Sequence, residues 1–435
     1  MDNAIYKSRR INLSEKLPKN SVLLIPGANT QYRNADSAYA FRQDSNFYYL
    51  SGFCEPDSLM AIINNDDGRH SIIFVPPKDK LKEIWDGYRA GPIGAVEDFL
   101  FDKAFDNTHI DAMLPDILHG SEQVLYPIGK KSGFDQKVID WTTAASSKDR
   151  HSKSINIMDA SSLIGNIRLI KDDHEIDLIR KACNISAEAH IAAMQKAHAG
   201  VFEFELEAEI MAVFMRNGAR SPAYPSIVGG GENACILHYT DNKDSVADGE
   251  LVLIDAGAEY GCYAADITRT FPVNGSFTAE QKALYEITLI AQEAAIQCVR
   301  PGNNAENVHM TALKHLVEGL IDIGLLVGDV DSIIEQEAYS HLYMHRTGHW
   351  LGLDVHDVGA YRLGDYHLNL ESGMVLTVEP GIYISDRLAV PKGQPEIDER
   401  WKGIGIRIED DVLVTKDSAE VLSISAAKNL IDLEK

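Results

Sequence analysis

The segment Glu250–Val273, ELVLIDAGAEYGCYAADITRTFPV, places the strongest constraint on what this chain can fold into. Two β-rich runs flank a Tyr260-Gly261 turn, which predicts an antiparallel hairpin. Asp255 and Asp266 are spaced evenly about that turn, so we expect them directly opposite one another, with Cβ atoms roughly 5 Å apart. Two carboxylates at that distance repel each other unless they share a proton or a cation. Something positive should therefore lie between them.

Two further acids end apolar strands nearer the C-terminus. Glu379 closes MVLTVE just before a proline, and Glu409 closes IGIRIE. In IGIRIE the isoleucines take one face of the strand, whereas Arg407 and Glu409 share the other. Each acid alone could equally be a solvated strand end or half of a structural ion pair. Together with the hairpin they form a candidate set of four carboxylates.

Three histidines lie close together in MHRTGHWLGLDVHDVG, residues 344–359. His345 and His349 form HxxxH but lack the glutamate of a zinc-peptidase helix, so one of them as ligand, with the others lining a cleft, is favoured over paired ligation. Four carboxylates and one imidazole suit two divalent ions such as manganese, with magnesium, iron, cobalt or zinc as alternatives. The charges balance, and the site could stabilise a hydroxide bridging the two metals.

The pattern of apolar residues along the chain changes near residue 170. Before it, short β-branched runs such as SVLLIPG and HSIIFVPP alternate with turn clusters, which predicts an α/β domain over 1–170. From Lys171 apolar positions recur at helical spacing until Gly200, and capped helices then alternate with strands such as GMVLTVEPGIYI. Helices grouped apart from antiparallel strands predict an α+β catalytic domain over 171–435, and 435 residues are enough for two domains.

Composition excludes several classes of partner. The net charge of −24 argues against nucleic acid and against an anionic membrane surface. Five cysteines are scattered singly, as in a reducing cytosol. We find neither a signal peptide nor an apolar run of about 18 residues, so a cytoplasmic location is expected.

Taken in order, the four acids and His349 resemble the metal ligands of the pita-bread metallopeptidases, the fold shared by methionine aminopeptidase, prolidase and aminopeptidase P. FRQDSNFYYLSGFCEPDSLM, residues 41–60, resembles the N-terminal creatinase/prolidase-type domain of the two larger enzymes. GHWLGLDVHDVG and IGIRIEDD are more similar to bacterial aminopeptidase P than to prolidase, which usually has another residue where Trp350 stands. The resemblance spans nearly the whole chain.

This resemblance implies two manganese ions and a role for each ligand. Asp255 would chelate one ion, Asp266 and Glu409 would bridge both, and His349 and Glu379 would complete the other. Glu379 would also accept the proton of the attacking water.

Other residues are placed near the substrate by the resemblance alone. His238 and His356 would lie beside the scissile bond and His345 on the leaving-group side, with Tyr361 in the pocket. Tyr383 and Arg407 match family residues that lie near the ligands. Asp36, Trp85 and Arg168 match residues that close the cleft, in some family members from a neighbouring subunit. A homodimer or homotetramer is implied.

The implied activity is removal of an N-terminal residue when proline is second. An X-Pro bond is a tertiary amide without an N–H, so a peptidase that holds its substrate through that group cannot use it. The main alternative is a prolidase, which cleaves only Xaa-Pro dipeptides. A non-catalytic pita-bread module that binds peptides and a metal-free creatinase-like hydrolase are further alternatives, which five retained ligands disfavour.

Overall fold

The computed structural model describes residues 3–149, 154–385, 387 and 389–434. This part of the chain forms two compact units, and the boundary between them falls between Arg168 and Leu169. Among the described helices, none combines the length and the apolar character that crossing a membrane requires.

A mixed β-sheet is the centre of the N-terminal unit. The strands of this unit are β1 (Ser21–Pro26), β2 (Tyr32–Asn34), β3 (Ser37–Ala38), β4 (Leu59–Asn65), β5 (Gly68–Val75), β6 (Lys103–Asp106), β7 (Gln123–Tyr126) and β8 (Asn156–Asp159). Strands β2 and β3 form a small separate hairpin. The helices are α1 (Ala4–Lys16), α2 (Ser45–Ser51), α3 (Lys80–Asp86), α4 (Gly91–Glu97), α5 (Ile110–Leu118), α6 (Ser132–Ser146) and α7 (Ser161–Leu169). The sheet order is β6-β5-β4-β1-β7-β8. Strand β1 is buried along nearly its whole length, as expected of a central strand covered on both faces.

The C-terminal unit combines long helices with small antiparallel sheets. Its helices are α8 (Asp173–Lys196), α9 (Glu203–Arg216), α10 (Ala279–Cys298), α11 (Ala305–Asp322), α12 (Val330–Glu335) and α13 (Leu430–Leu433). Its strands are β9 (Ser221–Pro222), β10 (Ile227–Gly230), β11 (Leu251–Asp255), β12 (Ala258–Tyr260), β13 (Tyr263–Ala264), β14 (Thr268–Pro272), β15 (Arg362–Leu363), β16 (Tyr366–His367), β17 (Val375–Val378), β18 (Gly381–Ile384), β19 (Ile404–Arg407), β20 (Asp410–Val414) and β21 (Ala419–Val421). Short 3₁₀ helices across the two units lie at Asn107–His109, Gly231–Cys235 and Glu399–Trp401. The arrangement confirms the predicted α+β pita-bread class with an N-terminal α/β domain.

Local sequence signals set the ends of the main helices. The Asp172 side chain caps the start of α8 and Glu175 reaches back to it, and a second capping box begins α10 at Thr278. Helix α9 ends at Asn217, followed by Gly218 with a φ of 86°. One core joins α8, α9, α10 and α11 to the inner faces of β11 and β19. The predicted long helix is confirmed.

The hairpin of the opening segment has a different register from the one expected. Its two-residue turn is formed by Gly261 and Cys262, which both have positive φ, so the turn centre lies one residue later than predicted. Asp255 therefore pairs with Thr268 rather than with Asp266. The prediction that the two aspartates lie directly opposite one another was wrong. Because the shift is two residues, both still point to the same face of the hairpin, as diagonal neighbours.

Candidate metal centre

Glu379 and Glu409 lie where two strand pairs are interrupted. The run MVLTVEPGIYI, expected as one strand, is divided into β17 and β18 because Pro380 has no N–H for a ladder. The facing run is likewise divided into β19 and β20. Strand β17 pairs with β20 and β18 with β19 in one continuous register. That register places Glu379 opposite Glu409 in the gap between the two ladders.

His349 is held beside Glu379 by backbone pairing along β17. The N–H of Glu379 donates to the carbonyl of Thr347 (2.8 Å), and the N–H of Thr377 donates to the carbonyl of His349 (2.9 Å). A Cβ on Gly348 would lie 2.0 Å from the carbonyl oxygen of Thr377, so only glycine permits this approach. The His349 Nδ1 lies 3.0 Å from the carbonyl of Trp350. With Nδ1–H so engaged, Nε2 is left facing the acids.

The two aspartates contact one tyrosine and one arginine. The Tyr224 hydroxyl lies 2.6 Å from Asp255 Oδ1 and 2.5 Å from Asp266 Oδ1. Arg407 Nη2 donates to Asp255 Oδ2 at 2.6 Å, and its Nε donates to the hydroxyl of Thr268. Arg407 contacts Asp255, whereas the group that contacts both aspartates is the Tyr224 hydroxyl, so the placement of a positive group between the pair stays a prediction.

Ligand atoms of Asp266, His349 and Glu409 all lie within 4.8 Å of one another. His349 Nε2 is 3.4 Å from Asp266 Oδ2 and 3.6 Å from Glu379 Oε1. Glu409 Oε2 accepts from the Thr268 hydroxyl at 2.6 Å. Three acids and one imidazole therefore converge on one small volume, and Asp255 is joined to them through Tyr224.

Burial and mutual repulsion dominate the electrostatics of this cluster. Desolvation raises the pKa of Glu379 to about 7, against the charges of His349 and Arg407. Desolvation and the neighbouring carboxylates also raise the pKa of Asp266 and Glu409. Burial disfavours charge on His349, but its hydrogen bond to Asp266 and the nearby acids outweigh this and raise its pKa to about 9. The cluster thus retains protons near neutrality, and a divalent cation could replace them.

His345 lies beside the cluster in a neutral form. Burial, with the charge of Arg407, lowers its pKa to about 4. Its Nε2 is 2.8 Å from the Tyr383 hydroxyl and its Nδ1 is 2.8 Å from the carbonyl of Arg346. The Tyr383 hydroxyl also accepts from Arg407 Nη1 at 2.9 Å. One chain of contacts thus joins His345, Tyr383, Arg407 and Asp255.

The cluster opens onto a cavity of about 990 Å³ that His238, His345 and His356 also line. His356 meets the ring of His349 edge to face, with ring centres 4.2 Å apart. Burial, followed by the charges of His349 and His238, lowers the pKa of His356. Tyr361 lines the wall as well, and its hydroxyl accepts from the N–H of Trp350 at 2.8 Å. The C-terminal unit thus brings together its predicted histidines and Tyr361 around one cavity.

His238 lies in a loop organised by one buried glutamate. Glu203 is fully buried, and its carboxylate accepts hydrogen bonds from residues on both sides of His238. Oε1 accepts from Gly230 N and Asn233 Nδ2, and Oε2 accepts from the Tyr239 hydroxyl and Asp244 N, at 2.8 to 3.0 Å.

Three predicted residues lie in the N-terminal unit and are not among the described residues that line the cavity. Asp36 is exposed in the turn between β2 and β3. Trp85 is 87% exposed near the end of α3, and Arg168 is buried, with Nη1 donating to Asn46 at 2.6 Å. Their role in closing the cleft stays a prediction.

Sequence reasoning missed three groups that touch the acids. Thr268 and Thr377 stand two residues from Asp266 and Glu379, so the strand alternation that identified Arg407 would also have identified them. Tyr224 offered no such signal, because it lies 31 residues before Asp255 in the chain.

The two-domain fold and the acidic metal centre define a metallopeptidase. The sequence profile of metallopeptidase family M24 matches residues 177–416, and that of the aminopeptidase P N-terminal domain matches residues 6–126. The chain belongs to metallopeptidase family M24.

Within that family the chain is similar to Xaa-Pro aminopeptidases over its full length. The Xaa-Pro aminopeptidase of Haemophilus influenzae is 42% identical over 99% of this chain and 96% of its own. The structure of Pseudomonas aeruginosa aminopeptidase PepP matches with a TM-score of 0.95 and 43% identity, covering 100% of this chain and 97% of that one. A glutamate-to-alanine variant of Escherichia coli aminopeptidase P in complex with substrate matches with a TM-score of 0.94 and 41% identity, at 100% and 97% coverage. The predicted resemblance is confirmed.

Proposed function

We propose that the chain is an Xaa-Pro aminopeptidase, which releases the N-terminal residue of peptides that have proline second. The observation that carries this proposal is the cluster of carboxylates and one imidazole on the wall of a cavity that five further histidines line. Full-length similarity to enzymes named Xaa-Pro aminopeptidase supports the substrate class.

The donor set fits divalent metal ions. Carboxylate oxygens with one imidazole are ligands for manganese, iron, cobalt or zinc, and the absence of thiolate from the set is unlike a structural zinc site. Raised pKa values at Asp266 and Glu409, which are buried, and at the part-buried Glu379 indicate more negative charge than the neighbouring cations compensate. We propose two ions, with manganese as first choice, held by Asp255, Asp266, His349, Glu379 and Glu409. Bound ions would polarise the scissile carbonyl and lower the pKa of a water molecule.

The side chains around this centre would handle protons and orient the peptide. Glu379 would accept a proton from the attacking water and deliver it to the departing proline nitrogen, which has no N–H of its own. His238 and His356 would donate hydrogen bonds to the developing oxyanion. His345 is neutral and held by Tyr383, so it can contact the leaving group without carrying charge.

Hydrolysis of matched peptides tests this proposal. Purified protein should release glycine from Gly-Pro-Ala after manganese is added, and chelation should abolish the release. A prolidase would instead cleave Gly-Pro and leave the tripeptide intact, because its pocket must end at the proline carboxylate. A binding module would contain no stoichiometric metal and would cleave neither peptide.

We also propose the domain division 1–170 and 171–435, a cytoplasmic location and a homodimer or homotetramer. Trp85 supports the oligomer, because the neighbouring Ile84 and Tyr88 are also 79% and 96% exposed, and so apolar a surface is typical of an interface. Light scattering of the protein and of a Trp85→Ala variant would test this. A monomeric natural protein would contradict it.

A further inference from the structure

A buried ion pair anchors the loop that carries His356. Lys171 Nζ lies 3.0 Å from Asp357 Oδ2, and each side chain is only 1% exposed. Lys171 Nζ also lies 3.4 Å from the carbonyl of Leu169, and the Lys171 N–H donates to Gly373. Asp357 directly follows His356. The pair therefore fixes the backbone next to one of the histidines assigned to the oxyanion.

The loop from Trp350 to Tyr361 is closed tightly around the Asp357 carboxylate. The N–H of Asp357 donates to the carbonyl of Trp350 at 2.9 Å. The rings of Trp350 and Tyr361 stack with centroids 4.9 Å apart, at an interplanar angle of 10°. A Cβ on Gly352 would lie 2.3 Å from Asp357 Oδ2, so only glycine leaves room for the carboxylate at this place.

Few contacts fix the imidazole ring of His356 directly. Its ring contacts the ring of His349, and among the described residues no hydrogen bond to the His356 ring accompanies that contact. The direction of the imidazole therefore depends on the backbone of the loop, and the loop in turn depends on its anchor. An ion pair this deeply buried is suited to such a task, because removing one partner takes away the charge against which the other is buried.

We propose that Lys171 and Asp357 are positioning residues, whose buried ion pair holds the Trp350–Tyr361 loop so that the His356 ring faces the cavity. The effect on turnover rests on the proposed function, since it requires His356 to act on the substrate. The effect on the His356 ring does not.

The kinetic test compares Lys171→Met with Lys171→Arg. K171M should lower kcat by about 100-fold, as expected when a reacting group is misplaced by about 1 Å, with KM and metal content nearly unchanged. K171R keeps the charge and should recover most of the loss. In a His356→Ala background K171M should add little, because the residue that it positions is already gone. If K171M lowers kcat by the same factor in the natural and in the H356A background, the proposal is wrong.

A spectroscopic test does not depend on catalysis. In protein labelled at the histidine rings, the signal assigned to His356 through its loss in H356A should shift or broaden in K171M. The signal of His315, on helix α11, should stay in place. Lys428→Met is a control on other elements, where Lys428, with a side chain 13% exposed, pairs with Asp410, which also keeps Arg269; it should leave the His356 signal unmoved.

The outcomes separate the two proposals. A folded K171M protein with an unmoved His356 signal overturns the positioning role, whatever its activity. A moved signal with unchanged turnover supports the positioning role and removes His356 from the proposed mechanism. If K171M does not fold, the neutral double variant K171M/D357N removes both buried charges and takes its place in both tests.

Discussion

Replacing Glu379 with glutamine should separate catalysis from folding. In the variant, the backbone N–H at position 379 keeps its hydrogen bond to the carbonyl of Thr347. The glutamine side-chain oxygen can still accept from the Thr377 hydroxyl, which lies 3.2 Å from Glu379 Oε1 in the natural protein. Burial raises the pKa of the metal-free carboxyl to about 7, so the neutral amide resembles a protonated form that the acid adopts near neutral pH. Stability should change by about 1 kcal/mol or less.

Turnover should respond very differently to the same change. Glutamine cannot accept a proton, and loss of a general base typically lowers the rate by about 10² to 10⁴-fold, which is about 3 to 5 kcal/mol of barrier at roughly 1.36 kcal/mol per tenfold. The assay is kcat on an Xaa-Pro tripeptide with manganese added, alongside thermal unfolding and metal content by mass spectrometry.

Glu306→Gln provides the matched control, because it makes the same change on the wall of the same cavity. Glu306 pairs with Arg346, whose side chain is 58% exposed, and such a pair is worth about 1 kcal/mol or less. Its turnover should therefore stay within about one order of magnitude of the natural protein. A folded, metal-loaded E379Q protein with turnover in that same range would refute the assignment of Glu379 as proton acceptor.

Three further predictions follow from the same contacts. Tyr224→Phe removes the hydroxyl between the two aspartates and should weaken manganese binding by about 10 to 100-fold in calorimetric titration; unchanged affinity would contradict this. Glu203→Gln leaves part of its buried hydrogen-bond network unmet, which should cost about 2 kcal/mol or more in urea unfolding and speed proteolysis near His238. In metal-free protein, the excess melting temperature of the natural protein over a Glu379→Gln/His349→Ala variant should be smaller at pH 8 than at pH 6. In the folded protein the pKa of Glu379 is raised from 4.5 to about 7 and that of His349 from 6.5 to about 9. The stability that each group contributes is complete below its ordinary pKa and is lost as the pH rises through its folded pKa. An excess that grows over this range would contradict the assignment.

Features governed by neighbours a few residues apart were predictable. Helix α8 follows from the spacing of its apolar residues and from Asp172 and Glu175, which act within one turn. Arg407 beside Glu409 follows from strand alternation. The register of the Asp255 hairpin was missed by two residues, because Cys262 adopts a positive φ that its residue type does not suggest.

The sequence by itself determined the family, and it predicted the candidate metal ligands and their order, because each lies in a short motif whose chemistry is carried by its own residues. Tertiary structure alone decided which groups touch those ligands. Tyr224 reaches Asp266 across 42 residues, and Lys171 reaches Asp357 across 186. Contacts at such separations depend on how whole helices and strands pack, because hydrophobic burial stabilises the packing without specifying individual partners along the chain.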